Sequence, residues 1–478
     1  HKALVLLLTF LCYTSFHASR KPMSVVKSVL TGAAGSDSAS LDSYLAADGW
    51  PWLHEGTLPF NEEGGKLLLG KLDLAFLGAY AAGMFGAGHL GDRIHLRKFL
   101  TFGMLASGAM VCSVGLAYFL DIHSFWYFVV VQITGGFLQA TGWPSVVAVM
   151  GNWYGKGKRG AVMGAWNAHT SVGNILGSVV AAACLSWGWG WAFIMPGVAL
   201  IAMGLIIWLF LVVEPEEAGL FKMRDSILRR ARTKRQLVGV SSQLCIVEVP
   251  RALLPPQAER AKGVSMWAAL RIPGVVSFAL TLFFSKLVAY TFLYWLPFYL
   301  NSVDIGGRRL TPKAAGVLSI LFDVGGVAGG AIAGALSDST GAPACVSTAF
   351  VFGSVPSMWL YRTFGGSCLS WNVCLMLAAG LFVNGPYALI TTAVSADLGS
   401  HASVAGNSKA LATVTSIIDG MGSCGAALGP LLTGYLSQRA GGFDNVFLML
   451  YIASLAAALL LLRLVLREVR PWPPVYQC

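Results

Sequence analysis

Gly88-His-Leu-Gly-Asp92-Arg93-Ile-His-Leu-Arg97-Lys98 separates two long apolar runs, and Gly334-Ala-Leu-Ser-Asp338-Ser-Thr-Gly341 separates two others much later in the chain. Their aspartates are 246 positions apart (338 minus 92). Two prolines keep nearly the same offset: Pro144 in Gly142-Trp-Pro and Pro386 in Asn-Gly385-Pro stand 242 positions apart. The chain therefore reads as one unit made twice. A duplicated membrane unit places its ligand site between the two copies.

The apolar runs set the class. Of 478 residues, 56% are hydrophobic and only 12% charged, and mean hydropathy is +0.67. Soluble domains carry about 25% charged residues, so a water-soluble enzyme and a disordered chain are both excluded. A spanning helix needs ~20 mostly apolar residues. Twelve stretches qualify: 3–30, 68–91, 97–120, 123–150, 159–185, 189–213, 272–300, 312–337, 343–362, 370–396, 404–436 and 444–466. A hydrophilic segment divides them six and six, which gives an N-terminal bundle 1–213, a basic linker 214–271 and a C-terminal bundle with a short tail 272–478. The expected fold is all-α, a polytopic membrane protein of twelve transmembrane helices in two pseudo-symmetric six-helix bundles. The apolar run Ala3 to Phe16 lacks a small-residue cleavage site and is expected to span rather than be removed. Because the first residue is His1 rather than Met, sequence is expected to precede it.

Charge gives the orientation. The chain carries a formal +11, but its basic residues fall in short hydrophilic breaks, so the expected partner is the lipid bilayer and not nucleic acid. Arg93, Arg97 and Lys98 follow the second span, Lys156, Lys158 and Arg159 follow the fourth, and Lys222, Arg224, Arg229, Arg230, Arg232, Lys234 and Arg235 fill the linker. The first loop is acidic instead, with Asp37, Asp42, Asp48, Glu55, Glu62 and Glu63. Both termini and the linker are therefore expected on the cytoplasmic side, with Arg308 and Arg309 as exceptions opposite. The nine cysteines show no CxxC spacing, and Cys12, Cys112, Cys184, Cys345, Cys374 and Cys424 read as small core residues. With no HExxH, GxSxG, Walker sequence or Cys/His cluster, neither an enzyme, a cofactor nor a metal site is expected.

Glycine, a short spacer, Asp92-Arg93 and the distal Arg97-Lys98 resemble the signature loop of the major facilitator superfamily. That loop acts as a latch in which carboxylate, basic residues and helix ends bond one another. His95 stands where the pattern has glycine, and the second copy lacks the basic residues. Phe16-His-Ala-Ser-Arg20-Lys21-Pro, Gly142-Trp-Pro144-Ser, Gly151-Asn-Trp-Tyr-Gly-Lys-Gly-Lys158-Arg-Gly, Trp166-Asn-Ala-His169-Thr-Ser-Val-Gly173 and Ile417-Ile-Asp419-Gly resemble the organophosphate:phosphate antiporters. Within them the chain is most similar to the sugar-phosphate exchangers of solute carrier family 37. The resemblance implies exchange of a phosphorylated small molecule, such as glycerol-3-phosphate or glucose-6-phosphate, for inorganic phosphate. It also implies the endoplasmic reticulum membrane. A transporter of another organic anion, or a ligand sensor on the same fold, is the alternative.

Several polar residues lie where apolar ones are expected. An arginine at the centre of a spanning helix costs about 2.5–3.5 kcal/mol on insertion scales, so Arg20 is expected to face a polar cavity, where its planar guanidinium can grip two phosphate oxygens. The alternative is snorkelling near the helix end. Lys21 points to a different helix face. His169, with Trp166 and Gly173 on one face, has an ordinary pKa near 6.5 that matches the second ionisation of phosphate at about 6; otherwise it is a hydrogen-bonded core histidine. The resemblance puts the main phosphate contact at Arg20 and a binding histidine at His169. Where it calls for a second phosphate-binding arginine, this sequence has Ala289, and Lys286 three residues earlier is expected to supply the charge. Trp143, Trp166, Asn167, Tyr290, Tyr294 and Tyr387 are candidate lining residues, each competing with a packing role. Asp323, Lys409 and Asp419 are expected to pair across helices or tune the pathway.

Overall fold

A computed structural model describes residues 1–32, 56–91, 94–154, 166, 168–215, 217, 266–394, 398 and 408–469. Twelve helical spans are present among them. In the N-terminal half they are Lys2–Arg20 continued by Pro22–Leu30, Gly65–Gly91, Leu96–Phe119, Phe125–Gln139 continued by Gly142–Trp153, His169–Cys184 and Trp189–Phe210. In the C-terminal half they are Val275–Ser302, Pro312–Leu318 continued by Ile320–Thr340, Pro343–Phe364, Leu369–Leu389, Ser408–Leu436 and Phe443–Val469. Ten of the twelve are long and apolar enough to cross a bilayer on length and composition. Most ends agree with the sequence expectation to within a few residues; the start of the fifth span, expected at 159, falls outside the described residues. Among the described residues, strand structure is confined to a two-residue hairpin, Asp304–Ile305 against Arg308–Arg309.

The breaks inside the first and fourth spans have a covalent cause. Proline has no N–H and its ring crowds the carbonyl four residues back. Pro22 therefore releases the Ala18 carbonyl, which takes a 3.4 Å bond from the Lys21 N–H instead. Pro144 similarly releases the Ala140 carbonyl, and the fourth span restarts at Gly142. Both breaks turn polar side chains toward the middle of the molecule.

Duplication is visible in the packing. In the N-terminal half the third span pairs with the sixth, the second with the fourth and the first with the fifth. The C-terminal half repeats this as ninth with twelfth, eighth with tenth and seventh with eleventh. The two bundles then meet along the second and eleventh spans, the fifth and eighth, and the first and seventh. Their outer surfaces carry large apolar side chains such as Phe102, Trp126, Leu209 and Leu459, as lipid contact requires. Cys374 and Cys424 are exposed with them, which corrects their reading as core residues; lipid is as favourable a neighbour as a protein core for a small apolar thiol.

Candidate functional site

The site is built where the first, fifth, seventh and eighth spans converge. The fifth span approaches the first so closely that a Cβ on Gly173 would fall 2.5 Å from the Thr14 carbonyl oxygen, and one on Gly177 2.4 Å from that of Ala18. Only glycine permits this approach, and it seats His169 against the first span. Between the bundles lies a cavity of about 70 Å³ lined by His17, Asn174, Ala289, Tyr290, Asp323, Asn384 and Tyr387, among others. Small-molecule sites usually measure ~300–1,000 Å³, so the bundles are closed around this one.

Arg20 is half-buried in the first span. Its Nε donates to Gln139 Oε1 at 2.6 Å, and Gln139 Nε2 in turn donates to Ser19 Oγ at 3.1 Å. Gln139 is the residue at which the first part of the fourth span stops, so the Pro144 break delivers this amide. The guanidinium lies 4.6 Å from the Tyr80 ring centre and 6.0 Å from that of Phe76. Its Nη2 is buried and has no hydrogen-bond partner.

The neighbouring lysines are differently placed. Lys21 forms a 3.4 Å ion pair with Asp323 of the eighth span, and Asn174 Nδ2 donates to the other oxygen of that carboxylate at 3.2 Å. Lys286 donates to Asp419 Oδ1 at 2.7 Å and lies 5.3 Å from the Tyr387 ring centre. This bears on one expectation: the Lys286 cation expected to supply the second charge for phosphate is already compensated, because the eleventh span supplies its carboxylate. Asp419 is thereby accounted for, whereas the Lys409 side chain lies outside the described residues. Among the described residues, Arg20 has no carboxylate partner.

His169 is fully buried within a cage of rings. Trp166 lies 4.4 Å from it, Tyr13 4.7 Å, Phe10 6.1 Å and Trp143 6.2 Å, centre to centre. Its Nδ1 is 3.2 Å from Thr170 Oγ1, while Nε2 has no partner. Trp166, 2% exposed, donates its indole N–H to Thr9 Oγ1 at 3.1 Å, so it packs the first span and does not line the cavity. Trp143 stacks on it at 5.9 Å. Tyr290 stacks on Tyr294 at 6.2 Å and meets Tyr387 edge-on at 6.4 Å. Asn167 falls outside the described residues, as do Asp92 and Arg93 of the latch loop. Arg97 Nη1 donates to the Leu211 carbonyl at 3.4 Å, tying the start of the third span to the end of the sixth, and Lys98 is exposed.

Sequence reasoning missed His17, Asn174, Asn384, Tyr13, Tyr80, Gln139, and above all Lys27 and Asp73. The last two were detectable as charges inside the apolar runs 3–30 and 68–91. Neither belongs to a motif, and nothing in the sequence alone joins residues 46 positions apart.

The sequence profile described as the Major Facilitator Superfamily matches residues 57–414. A protein of Arabidopsis thaliana, provisionally named glycerol-3-phosphate transporter 1, is 52% identical over 98% of this chain and 88% of its own. The glucose-6-phosphate exchanger SLC37A2 of Xenopus tropicalis is 46% identical over 98% of this chain and 93% of its own. A D-xylose–proton symporter structure superposes with a TM-score of 0.66 over 98% of both chains at 12% identity. An inward-facing bacterial homologue of the human lysosomal transporter Spinster gives 0.60 over 99% of both at 15% identity. The last two speak for the fold alone; the first two place the sequence. The protein belongs to the Major Facilitator Superfamily, in the branch that contains these phosphate-ester transporters.

Proposed function

We propose that the protein exchanges a phosphate monoester of the glycerol-3-phosphate or glucose-6-phosphate class for inorganic phosphate, by alternating access to one site between its bundles. The observation that carries this reading is Arg20. It is a membrane-embedded guanidinium with a buried, unpartnered N–H edge and no carboxylate partner among the described residues. Such a group is matched by a phosphate, which offers two oxygens to its fork. The names carried by the relatives support the same substrate class.

In this reading Arg20 is the principal contact. His169 offers Nε2, and Tyr290 and Tyr387 of the cavity lining, with Tyr294 stacked on Tyr290, take the ester end of the site. Lys21 and Lys286 take part by exchanging Asp323 and Asp419 for phosphate oxygens. The proposed bundles are 1–213 and 272–478, joined by the linker 214–271, with the linker and both termini in the cytoplasm and the endoplasmic reticulum as the resident membrane.

Exchange follows from the charge. An empty site carries the bare Arg20 cation, and rocking the bundles moves it through a low-dielectric region. A bound phosphate dianion compensates it and lowers the barrier. Purified protein in proteoliposomes loaded with phosphate should take up labelled phosphate quickly, and uptake should be competed by phosphate monoesters added outside. Uptake that ignores internal phosphate would defeat exchange, and indifference to every ester would defeat the substrate class.

A further inference from the structure

Lys27 and Asp73 form an ion pair in which both side chains are fully buried. They belong to the first and second spans of the same bundle, and neither falls within a motif that the transport reading uses. Lys27 Nζ also donates to the Tyr294 carbonyl of the seventh span at 3.0 Å, across the boundary between bundles, and lies 4.2 Å from the Trp295 ring centre. Pro297 lies one turn further along the same helix. Its missing N–H leaves the Leu293 carbonyl without a helical donor and opens that flank of the helix. Lys21 Nζ caps Leu293 at 3.4 Å, and Lys27 takes the next carbonyl along. The bundles are tightly apposed at this same end: a Cβ on Gly70 would lie 3.1 Å from the Pro430 carbonyl oxygen, and one on Gly316 3.3 Å from Ala182 Cβ.

We infer that Lys27, held by Asp73, is a positioning residue for transport: a bolt that closes the cleft at the membrane face where the first span ends, with the proline-opened flank of the seventh span as its keeper. The inference rests on the alternating-access reading. Its logic is electrostatic. A bare buried charge is strongly unfavourable, and the counter-charge of Lys27 sits on its own bundle. When the bundles part, the ion pair moves as one neutral body, and what Lys27 loses is the carbonyl bond and its contacts with the Tyr294 and Trp295 rings. Lys21 differs, because its carboxylate belongs to the other bundle. The bolt can therefore open without uncovering a charge, and it biases the resting population toward closure at this face.

The test uses Ala289→Cys, which lines the cavity, and an impermeant thiol reagent applied to sealed vesicles from either face, with rates corrected for the same protein lacking that cysteine. Lys27→Met combined with Asp73→Asn removes the bolt without stranding a charge. Labelling from the face where the first span ends should rise about tenfold, as loss of a hydrogen bond to a charged donor implies, and labelling from the opposite face should fall. Equal rises from both faces would mean general loosening and would overturn the inference, as would unchanged rates. Should that double variant not reach the membrane, Lys27→Gln with Asp73→Asn keeps a polar bond between the two spans and carries the same expectation. Phosphate counterflow by the unsubstituted protein is measured alongside. Its absence would refute the transport reading, whereas the sidedness of labelling decides the bolt.

Discussion

Arg20 and Lys21 are neighbours in the chain, yet they face different problems. The helix turns Lys21 toward Asp323 and leaves Arg20 against Gln139 and Tyr80. Arg20→Lys keeps the charge but loses the planar fork and the Nε bond to Gln139. Since hydrogen bonds to charged groups are worth about 1.5–3 kcal/mol, phosphate affinity should fall at least tenfold at unchanged membrane abundance; normal exchange would remove Arg20 from the site. Lys286 poses the opposite case. Lys286→Ala strands Asp419 in a largely buried position, and breaking such pairs costs about 3–5 kcal/mol, so the variant should lose thermal stability in detergent. Adding Asp419→Asn should restore most of that stability without restoring phosphate binding. If Lys286→Ala alone exchanges phosphate normally, Lys286 belongs to structure and not to the site. Ala289 lines the cavity, so Ala289→Arg in the Lys286→Ala/Asp419→Asn background should recover part of the binding, read as phosphate competition.

Single elements carry the next level of the design. The fifth span reaches the first only because Gly173 and Gly177 have no side chain at the crossing, and that approach holds His169 inside its ring cage. Gly173→Val would press a branched side chain onto the Thr14 carbonyl. Overpacking of this kind costs typically 1–3 kcal/mol, so the melting temperature should drop by several degrees and exchange should weaken with it. Retention of both would show that the spans can separate freely. The prolines do a different kind of work. Pro22 and Pro144 break the first and fourth spans where Arg20 and Gln139 must meet, and Pro297 frees the Leu293 carbonyl that Lys21 occupies.

At the scale of the molecule, three pairings repeated in both halves make each bundle a copy of the other. Yet the charges are not duplicated, and the site is asymmetric as a result. The N-terminal bundle brings Arg20, Lys21 and His169, while the C-terminal bundle brings Asp323 and the tyrosines. In the proposed exchange, rocking would break the Lys21–Asp323 pair that crosses between bundles, which would tie conformational change to the presence of an anion. Labelling introduced cysteines in the linker and beside Lys98 with an impermeant reagent should mark both from one face of the membrane. Marking from opposite faces would overturn the orientation drawn from the loop charges. Net phosphate efflux into phosphate-free buffer should be slow compared with exchange, and rapid efflux would exclude the charge-compensation mechanism.

The sequence by itself determined the twelve spans, the six-and-six division and the duplicated prolines, because lipid makes length and apolarity nearly sufficient to define a helix. It also singled out Arg20, whose cost in lipid is visible wherever its partner lies. What the tertiary structure decided was the pairing of charges. Lys286 with Asp419, Lys21 with Asp323 and Lys27 with Asp73 join residues 133, 302 and 46 positions apart. An isolated charge in an apolar run signals only that some partner or cavity exists. Which one it meets depends on how the bundles close, and no local periodicity encodes that. The same holds for the Leu293 carbonyl: proline announces that it is released, but only packing shows that Lys21 of the other bundle arrives to bind it and that Lys27 takes the next carbonyl along.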